Sequence, residues 1–141
     1  MWFNPLITFL LKTPILHGMV SNSMMLVTIT GRKSGKTFST PVSYVQNENI
    51  LITLSQRKRK WWRNLRGGAP VELRLRGKQR QARGEALEKV PEIADMLKIF
   101  FRAARHMAKA FEISSDADGN FIRADLERTA ETMIVVRFQL E

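Results

Sequence analysis

Met24-Met-Leu-Val-Thr-Ile-Thr-Gly-Arg-Lys-Ser-Gly-Lys-Thr-Phe-Ser-Thr-Pro-Val-Ser-Tyr-Val-Gln46 is the stretch on which the fold turns. Met24 to Thr30 is an apolar, β-branched run stopped by Gly31, which predicts a strand running into a tight basic turn, Gly31 to Lys36. Thr37 to Gln46 then alternates, with Val42, Tyr44 and Val45, so the chain returns as a second strand. Outward from this hairpin, Asn47 to Asn49 is turn material and Ile50 to Ser55 has strand composition. Gln56 to Arg66 shows no strand period and stops at Gly67 and Gly68, which suits a short helix. Val71 to Leu75 and Gln79 to Leu87 flank Arg76, Gly77 and Lys78, a third hairpin with basic side chains on its outer face.

After Pro91 the period changes. Ile93, Met96, Leu97, Phe100, Phe101, Ala104, Met107, Ala108 and Phe111 recur at spacings of three and four, predicting one long helix over residues 91–112 whose stripe packs into the core. Ser114 to Asn120 is a polar loop, and residues 132–140 hold a final alternating strand from Met133 to Leu140. At the other end, Asn4 followed by Pro5 reads as a helix N-cap, so the N-terminal segment 1–22 is expected to carry a helix from Pro5 to Lys12. Helix, five strands, helix, strand, without crossover units, predicts a mainly β fold with flanking α: an antiparallel barrel filling one domain over residues 1–141, with residues 24–88 as its core.

Composition narrows the chemistry. No cysteine is present, which removes disulfides, thiolate metal sites and a cysteine nucleophile. His17 and His106 stand far apart with no clustered carboxylates, so no metal is expected. The net charge of +10 is concentrated: residues 31–83 hold 14 Lys/Arg against 2 Asp/Glu, while the remainder holds 9 against 11. Such a field recruits anions without saying which. Met1 to Val20 is apolar but interrupted by Lys12, Pro14 and His17, so neither a signal peptide nor a membrane span is expected and the location is read as cytoplasmic. A helix covering the core or a dimer partner, and a peripheral membrane contact through Trp2, Phe3, Leu6 and their neighbours, are the two readings of that segment.

Gly31-Arg-Lys-Ser-Gly-Lys-Thr37 invites comparison with a phosphate-binding P-loop, but three residues separate its glycines where that motif needs four, and a strand follows instead of a helix. The turn can still hold an anion through exposed amides and the Arg32, Lys33 and Lys36 side chains; a solvated turn without ligand is the alternative. A second basic cluster, Arg57 to Lys60, runs into Trp61, Trp62, Arg63, Asn64 and Leu65. Cations beside indoles fit a flat anionic ligand or a nucleic-acid base; otherwise one indole anchors the core and the other packs on arginine stems.

Taken in order, Met25 to Tyr44, Leu51-Ile-Thr-Leu-Ser55 and Trp61-Trp-Arg-Asn-Leu65 resemble the deazaflavin-dependent nitroreductase family, whose pattern is T-G-R-K-[ST]-G, a proline about six residues on, a strand ending in serine, and W-[YW]-x-N-L. The resemblance covers roughly Met24 to Leu87. It implies a split β-barrel of the FMN-binding superfamily that holds coenzyme F420, an anionic deazaflavin with a phosphodiester and an oligoglutamate tail. Carried over position by position, Arg32, Lys33 and Ser34 would hold the phosphate and Lys36 the tail carboxylates. Pro41 would lie beside the ring, Ser55 would contact the cofactor, and Trp61 and Asn64 would close the pocket. Gly35, Thr40, Gln56 and Arg57 complete the implied cofactor-binding set, and no catalytic residue is assigned. The implied reaction is hydride transfer to a small hydrophobic acceptor such as a quinone, nitro compound or activated alkene, by a monomer or homodimer. FMN is the alternative cofactor, since a cationic phosphate site serves either. A non-catalytic cofactor carrier and a basic nucleic-acid-binding barrel are the remaining alternatives, although no nucleic-acid partner is expected because the sheet lacks regularly placed surface aromatics.

Overall fold

The computed structural model describes residues 24–141, so the helix expected over Pro5 to Lys12 and the whole segment 1–22 lie outside the described residues. Seven strands form one antiparallel sheet: β1 (Met24–Thr30), β2 (Thr37–Ser43), β3 (Val45–Asn47), β4 (Ile50–Gln56), β5 (Ala69–Leu75), β6 (Lys78–Leu87) and β7 (Met133–Leu140). Their order across the sheet is β2-β1-β5-β6-β7-β4-β3. The two edge strands, β2 and β3, are joined in the chain by the single residue Tyr44. A flat sheet would hold its edges six strands apart, so this connection forces the sheet to curl until the edges approach. Thr53 Oγ1 of β4 donates to Ser43 O of β2 at 2.9 Å, across the seam so formed. The result is a split β-barrel.

Alternation fills the barrel. Val71, Leu73 and Leu75 point inward while Glu72 and Arg74 stay exposed, and Val27, Leu51 and Phe138 are fully buried. A side chain the size of Phe138 truncated to alanine in such a core costs about 3 to 5 kcal/mol. Gly84 on β6 faces Phe138 directly in the register, and a Cβ there would lie 3.0 Å from the phenyl ring and 3.2 Å from Leu65. Glycine at this position lets the ring lie against the strand.

Three helices follow: α1 (Val90–Ala103), α2 (Arg105–Ala110) and α3 (Arg123–Thr132). Ile134, Val135 and Val136 are all fully buried; consecutive strand residues point to opposite faces, so β7 is covered on both sides. The barrel interior covers one face and the helices the other, with Ile93, Leu97, Phe100, Phe101, Leu126 and Ala130 as their apolar side.

Several expectations are corrected. Tyr44 divides the strand expected over Thr37 to Gln46, giving six strands before the helices where five were expected. The helix expected over Gln56 to Arg66 shrinks to a 3-10 helix, Trp61–Leu65. The helix expected over 91–112 breaks at Ala104, whose φ of −129° and ψ of 64° leave the helical region. Helix α3 occupies a stretch to which the sequence reading assigned no element.

Candidate functional site

The Gly31 to Lys36 turn closes on itself. Gly31 N donates to Lys36 O at 2.8 Å and Gly35 N to Gly31 O at 2.9 Å, while Lys36 N donates to Ser34 Oγ at 3.2 Å. Gly35 has a φ of +71°, a conformation costly for residues with a Cβ. A Cβ on Gly31 would approach Ser34 Oγ to 2.8 Å, crowding the hydroxyl that accepts from Lys36 N. Arg32, Lys33 and Lys36 are left exposed on it.

The second wall begins where β4 ends. Ser55 is buried, and its Oγ accepts from Trp61 Nε1 at 3.1 Å while donating to Gln56 O at 3.2 Å. That same carbonyl accepts from Trp62 Nε1 at 3.2 Å and from Arg59 N at 3.1 Å. Both indoles are buried, at 3% and 2% exposure, so neither lies open as a stacking platform. Trp62 carries the guanidinium groups of Arg63 and Arg66 at 5.7 and 5.2 Å from its ring centroid, and Arg66 is held in turn by the Glu88 carboxylate at 3.0 Å.

The two walls meet. Arg32 N donates to Asn64 Oδ1 at 3.0 Å, Arg32 Nη1 reaches Arg63 O at 3.5 Å, and Asn64 Nδ2 anchors itself to Trp61 O at 3.0 Å. Residues more than thirty positions apart thus share one end of the barrel, with the exposed cations of the turn, Arg32, Lys33 and Lys36, on one side of the junction. Farther along β2 lie Thr40 and Pro41, paired with Val27 and Leu26 of β1. Thr40 is fully buried and its Oγ1 has no hydrogen-bond partner, a state that costs about 1 to 3 kcal/mol. An unpartnered buried hydroxyl on β2 and a turn of exposed cations at the end of that strand suit a polar, anionic cofactor.

Of the residues singled out from the sequence, Arg32, Lys33, Ser34, Gly35 and Lys36 form the turn, and Ser55, Gln56, Trp61 and Asn64 form the opposing wall. Arg57 is not brought to the gap: its guanidinium turns to Ala130 O and Glu88 O, at 2.7 to 3.0 Å. The sequence reading left out of the site Arg63, whose carbonyl faces Arg32 Nη1, and assigned no element to α3, whose end receives Arg57. The i,i+4 pairs Arg123 with Glu127 and Leu126 with Ala130 were the signal for that helix. Among the described residues no group of three or more His, Asp or Glu is placed to hold a metal, and no helix is long and apolar enough to cross a membrane. A groove of about 570 Å³ between β6 and the start of α1 carries Lys89 and Arg137 beside Glu85, Glu92 and Asp95; with both signs present it does not select an anion.

No curated protein matches the chain. Its fold is shared with the FAD and heme binding protein of Mycobacterium smegmatis, 11% identical, with a TM-score of 0.53 over 92% of this chain and 67% of that one. An FAD-binding protein of Mesorhizobium loti is 13% identical, with a TM-score of 0.53 over 88% and 86%. At these identities the likeness is one of fold. Residues 12–116, most of the chain, match the family model described as F420H(2)-dependent quinone reductase. The closed glycine turn, the buried Ser55 and the WWRNL helix all fall inside that span, and the chain belongs to the F420H(2)-dependent quinone reductase family: it is a deazaflavin-dependent oxidoreductase on a split β-barrel.

Proposed function

We propose that the chain transfers a hydride from reduced F420 to a quinone, with nitro compounds and activated alkenes as further acceptors, and that the cofactor's anionic arm lies between the Gly31 to Lys36 turn and the Gln56 to Leu65 wall. The supporting observation is the Arg32 N to Asn64 Oδ1 bond, 3.0 Å, which brings two basic segments to one place. Arg32 and Lys33 would hold the phosphate, where charge-assisted bonds are strongest, and Lys36 the carboxylate tail. Pro41 offers no N–H on its edge strand, so a ring lying against it meets apolar surface. Thr40 Oγ1 is the hydroxyl still able to take a hydrogen bond there. When bound, the deazaflavin supplies the hydride; the protein supplies position and field, so no catalytic acid or base is required of this chain.

Titration of cofactor-free protein with F420 and with FMN tests this. Binding of F420 in preference to FMN, followed by oxidation of reduced F420 on adding a quinone, is the expected result. A purified protein that carries FMN and ignores F420 removes the assignment.

A further inference from the structure

We infer that Arg57 is a positioning residue for the anion site, a clamp that fixes the basic loop Gln56 to Lys60 against the end of α3 rather than a ligand of the anion. This rests on the function proposed above. Arg57 heads the most basic run in the sequence, yet its side chain points away from the gap. Nε and Nη2 donate to Ala130 O at 3.0 and 2.8 Å, and Nη2 also donates to Glu88 O at 2.7 Å. Its own amide donates to Thr132 O at 2.9 Å.

Ala130 and Thr132 lie in the last turn of α3, where helix carbonyls have no partner within the helix and carry partial negative charge. A planar guanidinium satisfies such carbonyls with a rigid fork; an ammonium is a point charge on a flexible stem. Arg57 therefore pins one loop to two elements, the end of α3 and the β6 to α1 connection at Glu88.

From this anchor a continuous set of hydrogen bonds reaches the site. The adjoining Gln56 carbonyl accepts from Trp62 Nε1 and Arg59 N; the helix bearing Trp62 presents Asn64, and Asn64 Oδ1 accepts from Arg32 N. Displacing Arg57 would let Lys58, Arg59 and Lys60 drift relative to the Arg32 turn, widening the gap without removing any charge that lines it.

The test uses Arg57→Lys and Arg57→Ala in the full chain, with Lys33→Ala on the turn as a lining control. Amide hydrogen exchange of the cofactor-free proteins is expected to rise at residues 56–65 and 31–36 in both Arg57 variants. F420 titrations at several salt concentrations should show about tenfold weaker binding for both, with the wild-type salt dependence kept, because the cations facing the anion are intact. The quinone KM is expected to change little. Lys33→Ala should instead flatten the salt dependence. Wild-type affinity in Arg57→Lys combined with a flattened salt dependence in Arg57→Ala would make Arg57 a direct anion contact and overturn the inference, as would unchanged exchange in both segments. If wild type binds no F420 but the exchange difference appears, the functional proposal falls while the clamp stands.

Discussion

At one end of β1 the Gly31 to Lys36 turn carries Arg32, Lys33 and Lys36 against the Trp61–Leu65 helix; at the other the β5–β6 hairpin raises Arg74, Arg76, Lys78 and Arg80. The register separates them: Thr30 pairs Thr37 at the turn, while Met25 pairs Leu75 at the hairpin. Five residue steps along β1 separate these two points, about 17 Å. The two groups hold similar charge, but their surroundings differ. The turn is tied to the opposing wall through Asn64. The hairpin is a two-residue turn with positive φ at Arg76 and Gly77, a conformation that matches strand twist. Arg76 Nη2 donates to Gln46 Oε1 at 3.3 Å, and among the described residues none of the hairpin's four cations has a carboxylate partner. Positive charge that is contiguous in sequence is thus split in space, and only one half meets a second wall.

The largest effect expected from this contrast is at the turn. Replacing Arg32 and Lys33 together by alanine should remove two charge-assisted contacts of about 1.5 to 3 kcal/mol each, weakening F420 binding in titration by a hundredfold or more. Ser55→Ala is next: it deprives buried Trp61 Nε1 of its Ser55 acceptor, and urea denaturation should show a loss of about 1 to 3 kcal/mol. A smaller effect belongs to α3, on the side remote from Arg57. The Ser114 amide, helped by Arg128, holds the Asp125 carboxyl below the usual carboxylate range. A lowered folded-state value stabilises the protein above the unfolded carboxylate range, near pH 4, and that contribution drains away as pH falls further. Thermal melts should therefore show Asp125→Asn less stable than wild type at neutral pH, with the gap closing below about pH 4. The smallest effect is expected from Arg74→Ala with Lys78→Ala, which should leave F420 affinity within about twofold because screening over this distance exceeds a Debye length.

How far the sequence foretold all this varies with the kind of interaction. Strands β1 and β7 were readable almost to the residue, since the β-branched run stopped by Gly31 and the alternation from Met133 to Leu140 state their own limits. Tyr44 broke a strand without any glycine or proline to announce it; the cause is the sheet's need to turn from one edge to the other. The break at Ala104 was equally silent, because Ala104 itself favours helix and the apolar stripe continues through Met107 and Ala108. Helix α3 buries only Leu126, Thr129 and Ala130, too narrow a stripe to see beside its charges. The site was legible as a set of segments, through the glycine turn and the WWRNL motif. The direction of each side chain was not: nothing in Gln56-Arg-Lys-Arg-Lys60 distinguishes the arginine that turns to Ala130 from the cations beside it, because its partners lie 31 and 73 residues away.

The most direct test is a titration of 15N-labelled protein with F420. Amide signals from residues 31–36 and 56–65 should move together along one binding isotherm while those of residues 74–80 stay in place. Movement of the two segments on separate isotherms, or shifts concentrated at the β5–β6 hairpin, would contradict a single anion site built from both walls.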